Sequence, residues 1–183
     1  MNTILEWIKA SFSNPINIIA EIIGILALIL SFFIFLFNKR SHIIAVKTVC
    51  DSMGAIRFLL RGELVGGAIN ALNIVRNIVF SQKHKRWVNH LYTPLFFCIL
   101  TFLTALLRWK EWYSFLPMAG SLLGTIGFWC SDVKNVRKFN LPAVFLWLIY
   151  GVIIKSFSTV LCNIFSIASI IIAMVKENQV HNK

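Results

Sequence analysis

From Ile18 to Phe37 the chain runs through about 20 residues with a single charge, Glu21, near the start. A hydrocarbon layer about 30 Å thick takes a helix of that length to cross, so this stretch is predicted to span a bilayer. Six more apolar stretches follow: His42 to Leu60, Leu64 to Phe80, Leu91 to Leu107, Trp112 to Cys130, Leu141 to Ile154 and Phe157 to Val175. With 58% hydrophobic and 14% charged residues, the 183-residue chain can supply seven spans and keep its loops short. That excludes a soluble enzyme, a disordered chain and a disulfide-stapled secreted module. Cys50, Cys98, Cys130 and Cys162 are scattered without metal-ligand spacing and read as buried thiols.

Ahead of the first span, Ile4, Leu5, Trp7, Ile8 and Phe12 share one helical face, as in a segment lying flat at an interface, and Asn14 and Pro15 break it. A cleaved signal peptide fits poorly, because the apolar run is long and Asn38, Lys39, Arg40, Ser41 and His42 follow it instead of a small-residue cleavage pattern. The net charge of +11 could suggest nucleic acid, but the basic residues gather in short clusters between apolar stretches. With the N terminus outside, the inner segments carry twelve Lys and Arg, with Arg76 and Arg137 among them, and the outer segments six. This favours a cytoplasmic C terminus.

The second span carries Lys47, Asp51 and Arg57, which must face protein or water, since a charge at mid-bilayer costs about 3 kcal/mol. Lys47 and Asp51, four apart, form a same-face pair, read as structural before a proton relay. Arg57 could hold an anionic substrate or pair with Glu63, although snorkelling outward along its methylenes is the favoured reading.

A weak internal repeat is visible. The first and fifth spans align at a lag of 96, with Gly24 on Gly120, Leu26 on Leu122, Phe32 on Phe128 and Phe33 on Trp129, and each is followed by a basic loop. For the next two spans the lag is 93, placing Asn70 on Asn163 and Asn73 on Ser166. Three helices, a linker helix and three related helices make a parallel repeat. The basic loop after Ser131, the run Trp147-Leu148-Ile149-Tyr150-Gly151 and then Asn163 resemble the second repeat of the PQ-loop superfamily, which contains the SWEET sugar transporters. The 16-residue spacing of Trp147 and Asn163 is similar to that of the Trp and Asn lining the sugar pocket there. Over Ile18 to Lys176, size and pattern look most like the YgjV-type bacterial inner-membrane proteins. Neither first helix carries the Pro-Gln pair, Gly54 stands opposite Trp147, and Arg57 opposite Tyr150, so sugar is not implied as the substrate.

Asn70, Asn73 and Asn77 form a polar stripe on one helix, and Asn163, Ser166 and Ser169 a similar one on another. They either face a substrate at the repeat interface or bond across helices to hold the bundle. Trp147 could stack on a ring-shaped ligand or simply pack; for Tyr150 packing or an interfacial position is favoured. Gly120, Gly124 and Gly127 make a small-residue face for close helix contact. Lys83, His84, Lys85, Arg86 and His90 read as a topology signal against anionic lipid, and the two histidines as poor metal ligands.

The expectation is an all-α polytopic membrane protein with seven transmembrane helices as two three-helix repeats plus a linker helix. Its divisions are an interfacial segment (1–17), a first repeat (18–80), a basic loop and linker helix (81–111), a second repeat (112–176) and a cytoplasmic tail (177–183). The expected function is movement of a small polar solute across the bacterial inner membrane by alternating access, with a non-transporting scaffold or partner subunit as the alternative. The substrate-binding candidates are Asn70, Asn73, Trp147, Tyr150, Asn163 and Ser166, with Asp51 and Arg57 as a charged pocket or gate. No catalytic constellation, metal, cofactor or nucleic-acid partner is expected; the lipid bilayer is a partner, and a homo-oligomer stays open.

Overall fold

The computed structural model describes residues 14–107 and 111–181, all of its regular structure helical. Along the described residues run α1 (Pro15–Phe33), a 3-10 turn (Ile34–Leu36), α2 (Arg40–Leu60), α3 (Leu64–Ser81), α4 (Tyr92–Leu107), a second 3-10 turn (Trp112–Ser114), α5 (Phe115–Trp129), α6 (Val133–Ile153) and α7 (Phe157–His181). The interfacial stretch expected over residues 3–13 lies outside the described residues. Asn14 is extended and its side chain accepts from the Asn17 amide at 2.8 Å, with Pro15 in the first turn. What the sequence suggests as a break is thus the N-cap of α1.

The α6 boundary differs from expectation in the same way. Asp132 accepts from the Lys134 amide at 3.3 Å and starts the helix at Val133, well before Leu141. Lys134, Arg137 and Lys138 therefore sit on a helix, not in a loop, and Pro142 lies inside it. A proline there removes one backbone donor, and a sequence reading ends the helix at it.

The helices close a circuit: α1 packs on α2 and α7, α2 on α3, α3 on α5, α5 on α6, and α6 on α7. α4 packs on α3 and α5 from outside that circuit. Two turns share one hydrogen-bond pattern. After α2, the amides of Arg61, Gly62 and Glu63 donate to the carbonyls of Arg57, Leu59 and Phe58; after α6, those of Ile154, Lys155 and Ser156 donate to Tyr150, Val152 and Gly151. Gly62 (φ 73°) and Lys155 (φ 54°) occupy the left-handed region at the same place in each turn. Glycine takes that conformation freely and lysine under strain.

Polarity is arranged inside out. Ile19, Ile22, Leu26 and Ile29 are about half exposed on the outer face of α1, and Phe96, Ile99, Leu103 and Leu106 on that of α4. Glu21, Asp51, Arg57, Arg76, Asn77 and Arg137 are buried. An apolar outside around a polar inside suits lipid as the surrounding medium. Among the described residues, four helices are long and apolar enough to cross a membrane: Pro15–Leu36, Leu64–Ser81, Val133–Ile153 and Phe157–Glu177. The charges of α2 set it apart, and α4 and α5, with 16 and 15 residues, are short at about 24 and 22 Å. The four cysteines are free thiols, half-buried where full burial was expected.

Candidate functional site

The circuit encloses a polar cavity of about 100 Å³, lined by its six helices and by no residue of α4. Seven of the eight candidate residues line it: Asp51 and Arg57 from α2, Asn70 and Asn73 from α3, Trp147 from α6, and Asn163 and Ser166 from α7. Tyr150 does not. It is buried beside Phe58, Trp147 and Tyr113, and its hydroxyl donates to Glu63 Oε2 at 3.4 Å.

One hydrogen-bonded chain crosses the cavity wall from α2 to α5. Lys47 pairs with Asp51, Asp51 Oδ2 accepts from Asn77 Nδ2 at 2.9 Å, and Asn77 Oδ1 accepts from Arg76 Nε at 3.2 Å and Nη2 at 2.9 Å. Arg76 Nη1 then donates to Thr125 Oγ1 at 2.9 Å and to the Ser121 carbonyl at 3.3 Å, and Ser121 Oγ donates to Asn73 Oδ1 at 2.6 Å. The Arg76 guanidinium also lies 5.3 Å from the centre of the Phe128 ring. Arg76, counted from sequence among the inner-side charges at the end of its span, is instead fully buried at the cavity. Its position three residues after Asn73, on the same stripe, was the available signal. Glu21, 1% exposed, is a second embedded acid beside Asp51.

Three amides are oriented alike. Asn70, Asn140 and Asn163 donate Nδ2 to the carbonyls of Gly66, Val136 and Thr159 four residues back, at 3.0, 2.8 and 2.8 Å. A carbonyl can only accept, so each Oδ1 is left as the free acceptor. Asn70 and Asn163 therefore do not tie the bundle to each other. Glycines let the wall close in: a Cβ on Gly120 would come within 2.8 Å of Trp147, and one on Gly24 would strike the Ser158 side chain and lie 2.9 Å from Arg57 Nη1.

Arg57 does not snorkel. It is 5% exposed, its Nη1 donates to Ser158 Oγ at 2.9 Å, and its guanidinium carbon lies 5.1 Å from the Phe58 ring centre. The Glu21 carboxylate behind it is taken by Arg61 Nη1 at 2.6 Å and by the Ser158 amide at 3.3 Å. Packing of α1 against α7 thus walls Arg57 off from lipid and turns it inward.

Bridges span the helices at both ends. At one end are the Glu21–Arg61 pair, the Arg61 Nη2 bond to the Lys155 carbonyl at 3.3 Å and the Tyr150–Glu63 contact. At the other, Arg40 donates Nε to the Cys130 carbonyl at 2.9 Å and Nη2 to those of Phe128 at 2.6 Å and Phe80 at 3.2 Å. Arg137 donates Nε to the Phe35 carbonyl at 3.1 Å and Nη2 to that of Phe37 at 3.2 Å, and pairs with Glu177 at 3.0 Å. Cations that satisfy the last carbonyls of a helix also favour its negative end. Lys83 donates to the Trp129 carbonyl and to Ser131 Oγ at 3.0 Å; burial, and then the neighbouring Arg40, lower its ammonium below the usual lysine range.

No group of three His, Cys, Asp or Glu able to hold a metal occurs among the described residues. The residues therefore offer hydrogen bonds and fixed charge. No curated protein and no solved structure matches the chain. A family model described as a bacterial inner membrane protein, Imp-YgjV, matches residues 18–180, from the first turn of α1 to the end of α7. With most of its length inside that match, and with an apolar exterior around a polar interior, the chain belongs to the YgjV family of bacterial inner membrane proteins.

Proposed function

We propose that the protein carries a small solute across the inner membrane, with α1–α3 and α5–α7 as two like-oriented units that rock around the central cavity. One observation carries the reading: wall positions of the cavity pair between the units at a uniform spacing of 93. Ala27, Ser31 and Phe35 correspond to Gly120, Gly124 and Phe128; Lys47, Asp51 and Gly54 to Asn140, Val144 and Trp147; Asn70 and Asn73 to Asn163 and Ser166. For the first helix of each unit this replaces the lag of 96 suggested by sequence.

The helix ends support the same pairing. Arg40 of α2 bonds the carbonyls ending α5 and α3, and Arg137 of α6 bonds those ending α1 and pairs with α7. The accepting carbonyls, Phe35 and Phe37 against Phe128 and Cys130, again lie 93 apart. The matched turns at Gly62 and Lys155 do too. In this reading all seven helices cross the membrane, α4 links the units, and the bridges at one end part while those at the other hold. A scaffold has no need of three amides that keep their acceptors free toward a cavity.

The orientation proposed is N terminus outside. Among the described residues, with Arg57, Arg76 and Arg137 set aside as buried, Lys39, Lys83, Lys85, Arg86, Lys134 and Lys138 gather at one end, against Arg61 and Lys155 at the other. The clustered end is placed in the cytoplasm.

Uptake into proteoliposomes, screened over a panel of labelled small metabolites, tests the carrier. Asn163→Ala is expected to reduce uptake of the transported solute roughly tenfold, the value of one lost hydrogen bond of about 1.4 kcal/mol. Equal flux through wild type, variant and protein-free vesicles across the panel would end the proposal.

A further inference from the structure

We infer that the cavity selects a small organic carboxylate, held by the guanidinium of Arg57. The inference rests on reading the cavity as a substrate site and names the substrate class of that site. Its first ground is charge. Lys47, Arg57 and Arg76 line the cavity against a single carboxylate, Asp51. That leaves a surplus of two positive charges along the cavity, with Lys47 partly exposed, and the Arg61–Glu21 pair near Arg57 adds none. A buried charge without a counter-charge costs several kcal/mol, so an anion that enters is favoured over a neutral solute of equal shape.

The second ground locates that anion. Arg76 spends its donors on Asn77, Thr125 and Ser121, and Lys47 is engaged by Asp51. Arg57 commits Nη1 to Ser158, while its buried Nε has no hydrogen-bond partner among the described residues. The Cys162 thiol, a weak acceptor, and the Glu21 carboxylate, already held by Arg61, lie near the same guanidinium. A guanidinium edge offered in this way fits the two oxygens of a planar carboxylate.

The third ground is the rest of the wall. Trp147 and Phe58 supply an apolar side for a short carbon skeleton, and the Oδ1 atoms of Asn70, Asn140 and Asn163 can accept from a hydroxyl or amine on it. A volume of about 100 Å³ limits the solute to a few heavy atoms.

Binding to purified protein in detergent tests this, with lactate, its uncharged amide lactamide, and inorganic phosphate as probes for wild type, Arg57→Gln and Arg57→Lys. Lactate is expected to bind wild type roughly tenfold or more tightly than lactamide and than phosphate, and Arg57→Gln to remove the preference over lactamide. Arg57→Lys, which keeps charge without the fork, is expected to fall between the two, and it serves as the readout should Arg57→Gln not fold. Equal binding of lactate and lactamide to wild type overturns the carboxylate inference and leaves the carrier reading standing. Tighter binding of phosphate overturns it in favour of a tetrahedral oxyanion. If none of the three binds and the proteoliposome panel shows no flux, the substrate site itself is overturned.

Discussion

Asp51 stands at the start of the hydrogen-bonded chain along the cavity wall. It neutralises Lys47 from its own helix and orders Asn77 on α3, and Asn77 in turn holds Arg76 against α5. Asp51→Ala strands a half-buried ammonium and a buried amide at once, and with the Lys47 side chain 23% exposed the cost falls below the roughly 3–5 kcal/mol of a fully buried pair. Thermal denaturation in detergent should show a large drop for Asp51→Ala, with part of it recovered in the double variant Lys47→Met/Asp51→Ala, where no ammonium is left uncompensated. An unchanged melting temperature for the single variant would mean that Lys47 reaches water. At this scale the sequence was partly legible. The asparagine stripes and the Lys47–Asp51 spacing are properties of single helices and could be read from periodicity. The inward turn of Arg57 could not, because it depends on Gly24 and Ser158, which come from α1 and α7.

Among the elements, α2 and α6 do the same work in opposite directions, each presenting an arginine near its start to helix ends across the bundle. Four or five charge-assisted bonds per arginine make these the strongest polar contacts at the lysine-rich end. Replacing either with glutamine should loosen that end and expose the thiol of Cys50, which lines the cavity. In a protein with Cys98, Cys130 and Cys162 replaced by serine, labelling of Cys50 by N-ethylmaleimide is expected to speed up several-fold in Arg40→Gln and Arg137→Gln; unchanged rates would show that these contacts do not guard the cavity. Five of the seven described helices were legible within a few residues, and α7 at its start though it runs six residues past the expected Val175, since alternation of apolar runs and turns survives without tertiary information. The start of α6 was not. An Asp cap on a basic, proline-containing stretch looks like a loop until the carbonyls of the first 3-10 turn are there to receive Arg137.

Over the whole molecule, burying charge and exposing isoleucine and phenylalanine fixes the medium, and the proposed seven crossings would set the two termini on opposite faces. A green fluorescent protein fused at the C terminus is expected to fluoresce in cells, and alkaline phosphatase at the same place to stay inactive; the reverse result would invert the orientation. The closed circuit with α4 outside was not readable from sequence, because which helix neighbours which is set by contacts far apart in the chain. The two units of the proposed arrangement differ in chemistry. Lys47, Asp51, Arg57 and Arg76 all belong to the first three helices, whereas the last three give the cavity amides, hydroxyls and Trp147. The same three helices end their second member on the unstrained turn at Gly62, and the others on the strained turn at Lys155. An electric potential across the membrane therefore grips one half of the protein far more than the other, at about 2.3 kcal/mol per elementary charge per 100 mV for full passage. The half it grips is the one built with the slacker corner.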